Sequence, residues 1–377
     1  MSTRAAGTRG RAGLVTAVVV AALVVLVDLV LVALWVWLLV VDDGVTRYLW
    51  GGLGLLVLWQ LLPRPARVDT HAVPLAASQA PGLDALCREV AEAVGARPPD
   101  RVVVETAYPV HVQATGYLGR ATLVLGLPQW TALDPGERVA VLAHELSCAQ
   151  VRRGPAGTLV RLGDDLLTSA RTILTPARSV TSADSTAVDQ SMSSLGLLGA
   201  GDELAGNQAR RGAAVAVGGA GMSVVGAPVR AVQALLARAW RPTLHRAALD
   251  ADRAAAALAG TAAVRGWLLS TVGIPRGLTA AGNAARTPGA DPFTAMETAA
   301  RPEPAELLAR LEADPAAAAD PQHPPTAERL RLVEATDAPA VGRSLEWSTL
   351  SAAAADVFAA RGPLTPRFRD ELGHGRS

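Results

Sequence analysis

LVLGLPQWTALDPGERVAVLAHELSCAQVRR, residues 123–153, is the stretch on which the reading of the fold turns. Its opening residues complete Ala121–Leu125, an apolar run suited to a buried strand. Asp134-Pro135-Gly136-Glu137 then supplies an N-cap, a proline at the first helical position and an acidic first turn, so a helix starts there. On that helix His144 and Cys148 stand four residues apart and share one face, with Glu145 beside the histidine. Two ligands at i and i+4 let a helix grip one zinc ion, and a glutamate next to the first can take a proton from zinc-bound water. The fifth position is usually histidine; here it is Cys148, whose thiolate also binds zinc, at about 2.3 Å. The same residues equally fit a plainer account, with His144 a buried hydrogen-bonded histidine and Cys148 a small apolar filler.

Upstream, residues 82–95 place Leu83, Leu86, Val90 and Val94 on one helical face. Val-rich runs at Arg101–Glu105 and Val110–Ala114, bounded by Gly or Pro, predict two more strands. Downstream, residues 179–208 are polar and Ser/Gly-rich, which predicts a mobile insertion. A helix is expected from Pro242 to about Gly260, and residues 286–325 read as a Pro/Ala-rich loop. Ala213–Val229 is uncharged but holds four glycines and is only weakly apolar, so it reads as a packed or interfacial helix.

The N-terminal region is of another kind. Leu14–Val41 runs for 28 positions interrupted only by Thr16 and Asp28, where about 20 apolar residues suffice to cross a bilayer. It is too long for a signal-peptide core, and no small-residue cleavage site follows it. A second apolar run, Val45–Leu62, makes residues 12–62 a transmembrane hairpin, with a linker over 63–81 and the main domain over 82–377. Arg4, Arg9 and Arg11 precede the first span, and Arg64 and Arg67 follow the second. The positive-inside rule therefore places the main domain on the cytoplasmic side of the plasma membrane. Asp28, in mid-span, is expected to face another helix.

Composition agrees with this division. Charged residues are 18% of the chain against about 25% in ordinary globular domains, as expected of a membrane segment joined to a water-facing region. All 35 basic residues are arginines and 34 residues are acidic, a net charge of +1 that excludes a general nucleic-acid binder. Two cysteines, Cys87 and Cys148, provide no disulfide framework.

The order of these elements, and the phrase ending in VLAHELS, resemble the HtpX-type membrane zinc metallopeptidases, relatives of the CaaX prenyl endopeptidases with a gluzincin-like fold. The likeness covers the hairpin and most of residues 82–335. It implies an α+β metallopeptidase-like domain whose active-site helix packs on a small sheet, zinc as cofactor, and a polypeptide substrate. By resemblance His144 and position 148 would hold zinc and Glu145 would be the general base. His111-Val112-Gln113-Ala114-Thr115-Gly116 corresponds to the substrate-binding edge strand, with His111 and Ala114 as contacts. The third ligand would come from a later helix, where the family's glutamate is replaced by Ala248. Asp252 keeps its place on that helix and would support the metal site by orienting the first histidine. His323-Pro324-Pro325 and Arg329 would act on substrate or transition state. His245 and Asp252 share the face of Ala248, one turn to either side, and reach the metal only if the helix slides by roughly 5 Å.

Two functions follow. One is a membrane-anchored zinc endopeptidase, weakened or silenced because Cys148 and Ala248 replace ligands. The other is a non-catalytic pseudopeptidase that binds a polypeptide partner at the membrane. A reporter fused after Ser377 is predicted to signal cytoplasmic; an extracytoplasmic signal would contradict the hairpin reading.

Overall fold

The computed structural model describes residues 2–41, 44, 48, 50–52, 54–55, 68–69, 71–115, 120–174, 216–299, 303–313, 323–336 and 347–374. The insertion expected at 179–208, Gly116 and most of Val45–Leu62 lie outside them. The chain divides into two units. One comprises residues 1–65, 152–186 and 198–243, and the other 66–151, 187–197 and 244–377.

In the first unit, α1 (Ser2–Val41) contains a 30-residue segment, Ala12–Val41, long and apolar enough to cross a membrane. Only 11% of its most apolar window is buried, so it is not the core helix of a globular domain. Gly13, Ala17 and Ala21 recur every fourth residue and so form one face; both alanines are fully buried. A Cβ on Gly163 of α5 (Pro155–Leu174) would lie 3.1 Å from the Ala21 Cα. Gly13 sits equally close to the Ala239 carbonyl. Small residues here let the helix backbones approach closely. Val19, Leu23, Leu26, Val30 and Trp37 stay exposed on the rest of α1. Asp28 lies on the partly buried side of the helix. Trp35 Nε1 donates to the Trp50 carbonyl at 3.2 Å, so the chain turns back along the end of α1.

The second unit holds a four-stranded sheet: β1 (Val73–Leu75), β2 (Arg101–Glu105), β3 (His111–Thr115) and β4 (Arg120–Gly126). The order is β1-β2-β4-β3, with β2 and β4 parallel and both outer pairs antiparallel. The three Val-rich runs form strands as their composition predicts; β1, hidden in the Pro/Ala-rich 63–81 segment, carried too short a pattern to read. β4 is buried from Ala121 to Gly126, as expected of an inner strand. It continues through the short α3 (Leu127–Ala132) into α4 (Pro135–Arg153), whose buried residues run from Val139 to Leu146 and include His144 and Glu145. α2 (Pro81–Ala93) adds Leu83, Leu86, Cys87 and Val90 to the same core. Burial pushes the Cys87 thiol up to about 12, with Asp84 adding to the shift.

α6 (Ala216–Ala259) includes the helix expected from Pro242 and continues further upstream, through Pro228. Gly260, at φ +90° and ψ 152°, a conformation open chiefly to glycine, ends it and donates its N–H to the Ala256 carbonyl. α7 (Thr261–Ala285) follows at once. Residues 286–325, expected as loop, contain α8 (Pro292–Ala299) and α9 (Pro304–Ala313). Each begins on a proline, which suits the first helical turn, and the alanines counted toward a loop are good helix formers. The fold ends with α10 (Thr326–Thr336), α11 (Trp347–Ala359) and α12 (Arg361–His374).

α2 crosses α11 at Gly82, where a Cβ would come within 2.6 Å of the Ala352 Cβ and 2.8 Å of the Ala353 nitrogen. Replacing Gly82 with alanine is expected to destabilise the protein by about 1–3 kcal/mol through overpacking. A thermal midpoint equal to wild type would show that the helices separate freely.

Candidate metal centre

Four segments of the second unit meet at His144. Its ring is fully buried, and Nδ1 lies 2.8 Å from Asp252 Oδ1 on α6. Burial lowers the imidazole's proton affinity, the Arg329 guanidinium lowers it further, and Asp252 and Glu145 only partly oppose the shift. A neutral ring that donates from Nδ1 presents a lone pair at Nε2. Asp252, also fully buried, accepts two hydrogen bonds from Arg329 of α10: Nε to Oδ2 at 2.8 Å and Nη2 to Oδ1 at 2.7 Å. Burial alone would raise the Asp252 carboxyl; the Arg329 hydrogen bonds and the neighbouring imidazole reverse the sign and hold it well below the usual range. Arg329 Nη2 also lies 3.3 Å from His144 Nδ1 and 3.4 Å from Nε2, within reach of the Nε2 lone pair. Trp267 of α7 completes the surround, its ring 4.9 Å from His144 and beneath the Arg329 guanidinium at 5.0 Å.

On the Nε2 side stands Cys148, its Sγ 3.5 Å away. His323, in the turn before α10, places its ring centroid 5.7 Å from that of His144. Ligand atoms of His144, Cys148 and His323 all fall within 4.8 Å of one another, so this group can hold a metal ion. Zinc bound tetrahedrally to sulfur at about 2.3 Å and imidazole at about 2.0 Å separates the two donors by about 3.5 Å. The observed spacing fits. Two imidazoles and a thiolate suit zinc or another thiophilic ion, and are a poor set for calcium or magnesium. Such an ion would supply a positive charge at Nε2 and, in an open site, polarise a bound water.

The residues singled out in the sequence fall differently from one another. His144, Cys148 and His323 come together, with His323 among the ligand atoms. Asp252 is not in that group; its two oxygens serve Arg329 and His144. Arg329 is buried against Asp252, with its guanidinium turned to protein rather than to an open groove. Ala248 packs with Ala251 against Cys148 and brings no donor. Glu145 Oε2 accepts the Val112 N–H at 3.1 Å, and Gln129 Oε1 accepts the Val110 N–H at 2.6 Å. Both amides are directed away from β4, on the free edge of the outer strand β3. His111 and Ala114 lie on that strand, His111 with Nδ1 3.2 Å from the carbonyl of its own Pro109. Gln129 and Trp267 were not legible as site residues, since neither sits in a pattern that sets it apart from core.

Two clefts lie elsewhere in this unit. One, of about 670 Å³, is lined by Arg276, Asp291 and Thr294, and the other, of about 450 Å³, by Pro74, Leu83 and Arg101. Neither includes a residue of the His144 cluster. Comparison with protein-family models, curated proteins and solved structures finds no match for the chain.

Replacing Arg329 with leucine strands a buried carboxylate and is expected to cost about 3–5 kcal/mol. Adding Asp252→Asn removes that charge while keeping an acceptor for His144 Nδ1–H, so the double variant should be more stable than Arg329→Leu alone. Chemical denaturation in detergent reads both values; equal stability of the two variants would contradict this account of the pair.

Proposed function

We propose that the chain is a membrane-anchored pseudopeptidase: a metallopeptidase-like domain behind an N-terminal transmembrane hairpin, on the cytoplasmic side of the plasma membrane, that binds a polypeptide partner without cutting it. The observation that carries this reading is the engagement of Glu145. A general base must reach a water on the metal. This carboxylate is 6% exposed and bound to the backbone of β3. The absence of a donor at Ala248, and its methyl against Cys148, supports the same reading.

The edge strand gives further support. A substrate laid along β3 by strand addition would need the outward amides of Val110 and Val112, and Gln129 and Glu145 already accept both. A partner is therefore recognised away from those two amides. The length and apolar surface of α1 support the membrane anchor, and the arginines around the apolar runs support the orientation.

The test separates a structural glutamate from a catalytic one. Purified wild type is expected to leave casein-type and membrane-associated peptides uncut. Glu145→Gln, which keeps an acceptor for Val112 N–H, should be close to wild type in stability. Glu145→Ala should lose about 1–3 kcal/mol, because a buried amide is left unsatisfied. Cleavage by wild type that disappears in Glu145→Gln would overturn the reading in favour of a zinc endopeptidase.

A further inference from the structure

We infer that His144, Cys148 and His323 form a zinc clasp, a mixed thiolate–imidazole site that ties α4 to the turn entering α10 and has a structural rather than hydrolytic role. The role assigned to the ion rests on the pseudopeptidase reading; the ligand set does not.

Three observations converge on this ligand set. The donor atoms lie within 4.8 Å of one another, with 3.5 Å between His144 Nε2 and Cys148 Sγ. The first ligand is already aimed, since Asp252 holds Nδ1–H at 2.8 Å and leaves Nε2 toward the sulfur. A carboxylate on the far nitrogen fixes a metal-binding histidine in orientation and tautomer and raises its basicity. The third ligand is also placed in advance. His323 is followed by Pro324 and Pro325, whose fixed φ stiffens the turn, and Arg329 donates its backbone N–H to the Pro325 carbonyl at 3.2 Å. Arg329 in turn grips Asp252. One short segment therefore reaches the same imidazole twice, through Arg329 to the carboxylate and through His323 to the metal side. Little conformational freedom remains to be lost on binding, which favours affinity.

The clasp accounts for the loss of a donor at Ala248. His323 supplies the third ligand from a different element, and the helix need not slide to bring His245 or Asp252 into reach. The Cys148 thiolate offsets one of the ion's two charges, Asp252 already offsets the Arg329 cation, and the partly exposed His323 side leaves the remaining charge in reach of water. The absent-metal alternative is a simple S–H···N contact at the same 3.5 Å, and the experiment decides between them.

The detergent-purified full chain is stripped of metal, then titrated with cobalt(II) and zinc. The expected result is one ion per chain, with a thiolate-to-cobalt charge-transfer band that is absent in Cys148→Ser. His323→Ala should weaken zinc binding by at least about 100-fold, since losing even an outer-shell partner of a ligand costs about 10–100-fold. Chelation should lower the thermal midpoint of wild type but not of His323→Ala, whose partly exposed side chain can be removed without opening the core. If Cys148→Ser does not fold, the wild-type cobalt spectrum and the His323→Ala titration carry the test alone. No stoichiometric metal at micromolar zinc, cobalt bound without the charge-transfer band, or unchanged affinity in His323→Ala would each overturn the clasp. Peptide cleavage by the zinc-loaded chain, lost in Glu145→Gln, would overturn the pseudopeptidase reading while supporting the ligand set.

Discussion

The arrangement around His144 depends on the paired hydrogen bonds from Arg329 to Asp252. A carboxylate with no solvent exposure is costly, and only a close, well-aligned partner makes it tolerable. Arg329 provides the planar fork that matches it, at 2.7 and 2.8 Å. With the carboxylate ionised, Asp252 accepts from His144 Nδ1, which fixes the tautomer and turns Nε2 toward Cys148. The same pair fastens α10 to α6, and so places the turn that bears His323. Local structure, charge and donor geometry follow from this one contact.

On the proposed reading, the centre differs in its donors from the family whose motif its sequence resembles. Cys148 stands for a histidine, Ala248 for a glutamate, and His323 brings an imidazole from a turn. On that reading the site keeps the ability to hold a thiophilic ion, its three protein ligands leaving a fourth position to water, and lacks the free base that hydrolysis needs. Glu145 bound to Val112 is part of the same change. Its carboxylate finishes the hydrogen bonding of the sheet edge, and Gln129 does so one pair of residues earlier. An unpaired outer strand is a risk that proteins commonly cover. Here side chains from the helices that follow β4 do the covering.

Much of this was legible in the sequence. The three Val-rich strands and the α4 start at Asp134-Pro135-Gly136-Glu137 carry local signals strong enough to stand alone, and so does the apolar length of α1. His144 and Cys148 were legible as a pair because helical spacing puts both on one face, whereas Asp252 was singled out only through the family resemblance. The rest depends on contacts far apart in the chain. No period could show that Arg329, 77 residues beyond Asp252, would be its partner. Nor could any motif show that His323 would lie beside Cys148, or that Glu145 would turn to an amide of β3. α8 and α9 were obscured by a composition that suits both a Pro/Ala-rich loop and a proline-started helix.

X-ray absorption at the zinc edge tests the central claim most directly, because it reports the atoms around the ion without reference to activity. The account predicts a shell with one sulfur at about 2.3 Å and imidazole nitrogens at about 2.0–2.1 Å. In His323→Ala the imidazole contribution should fall while the sulfur remains. A shell of nitrogen and oxygen alone, with no sulfur, would contradict it.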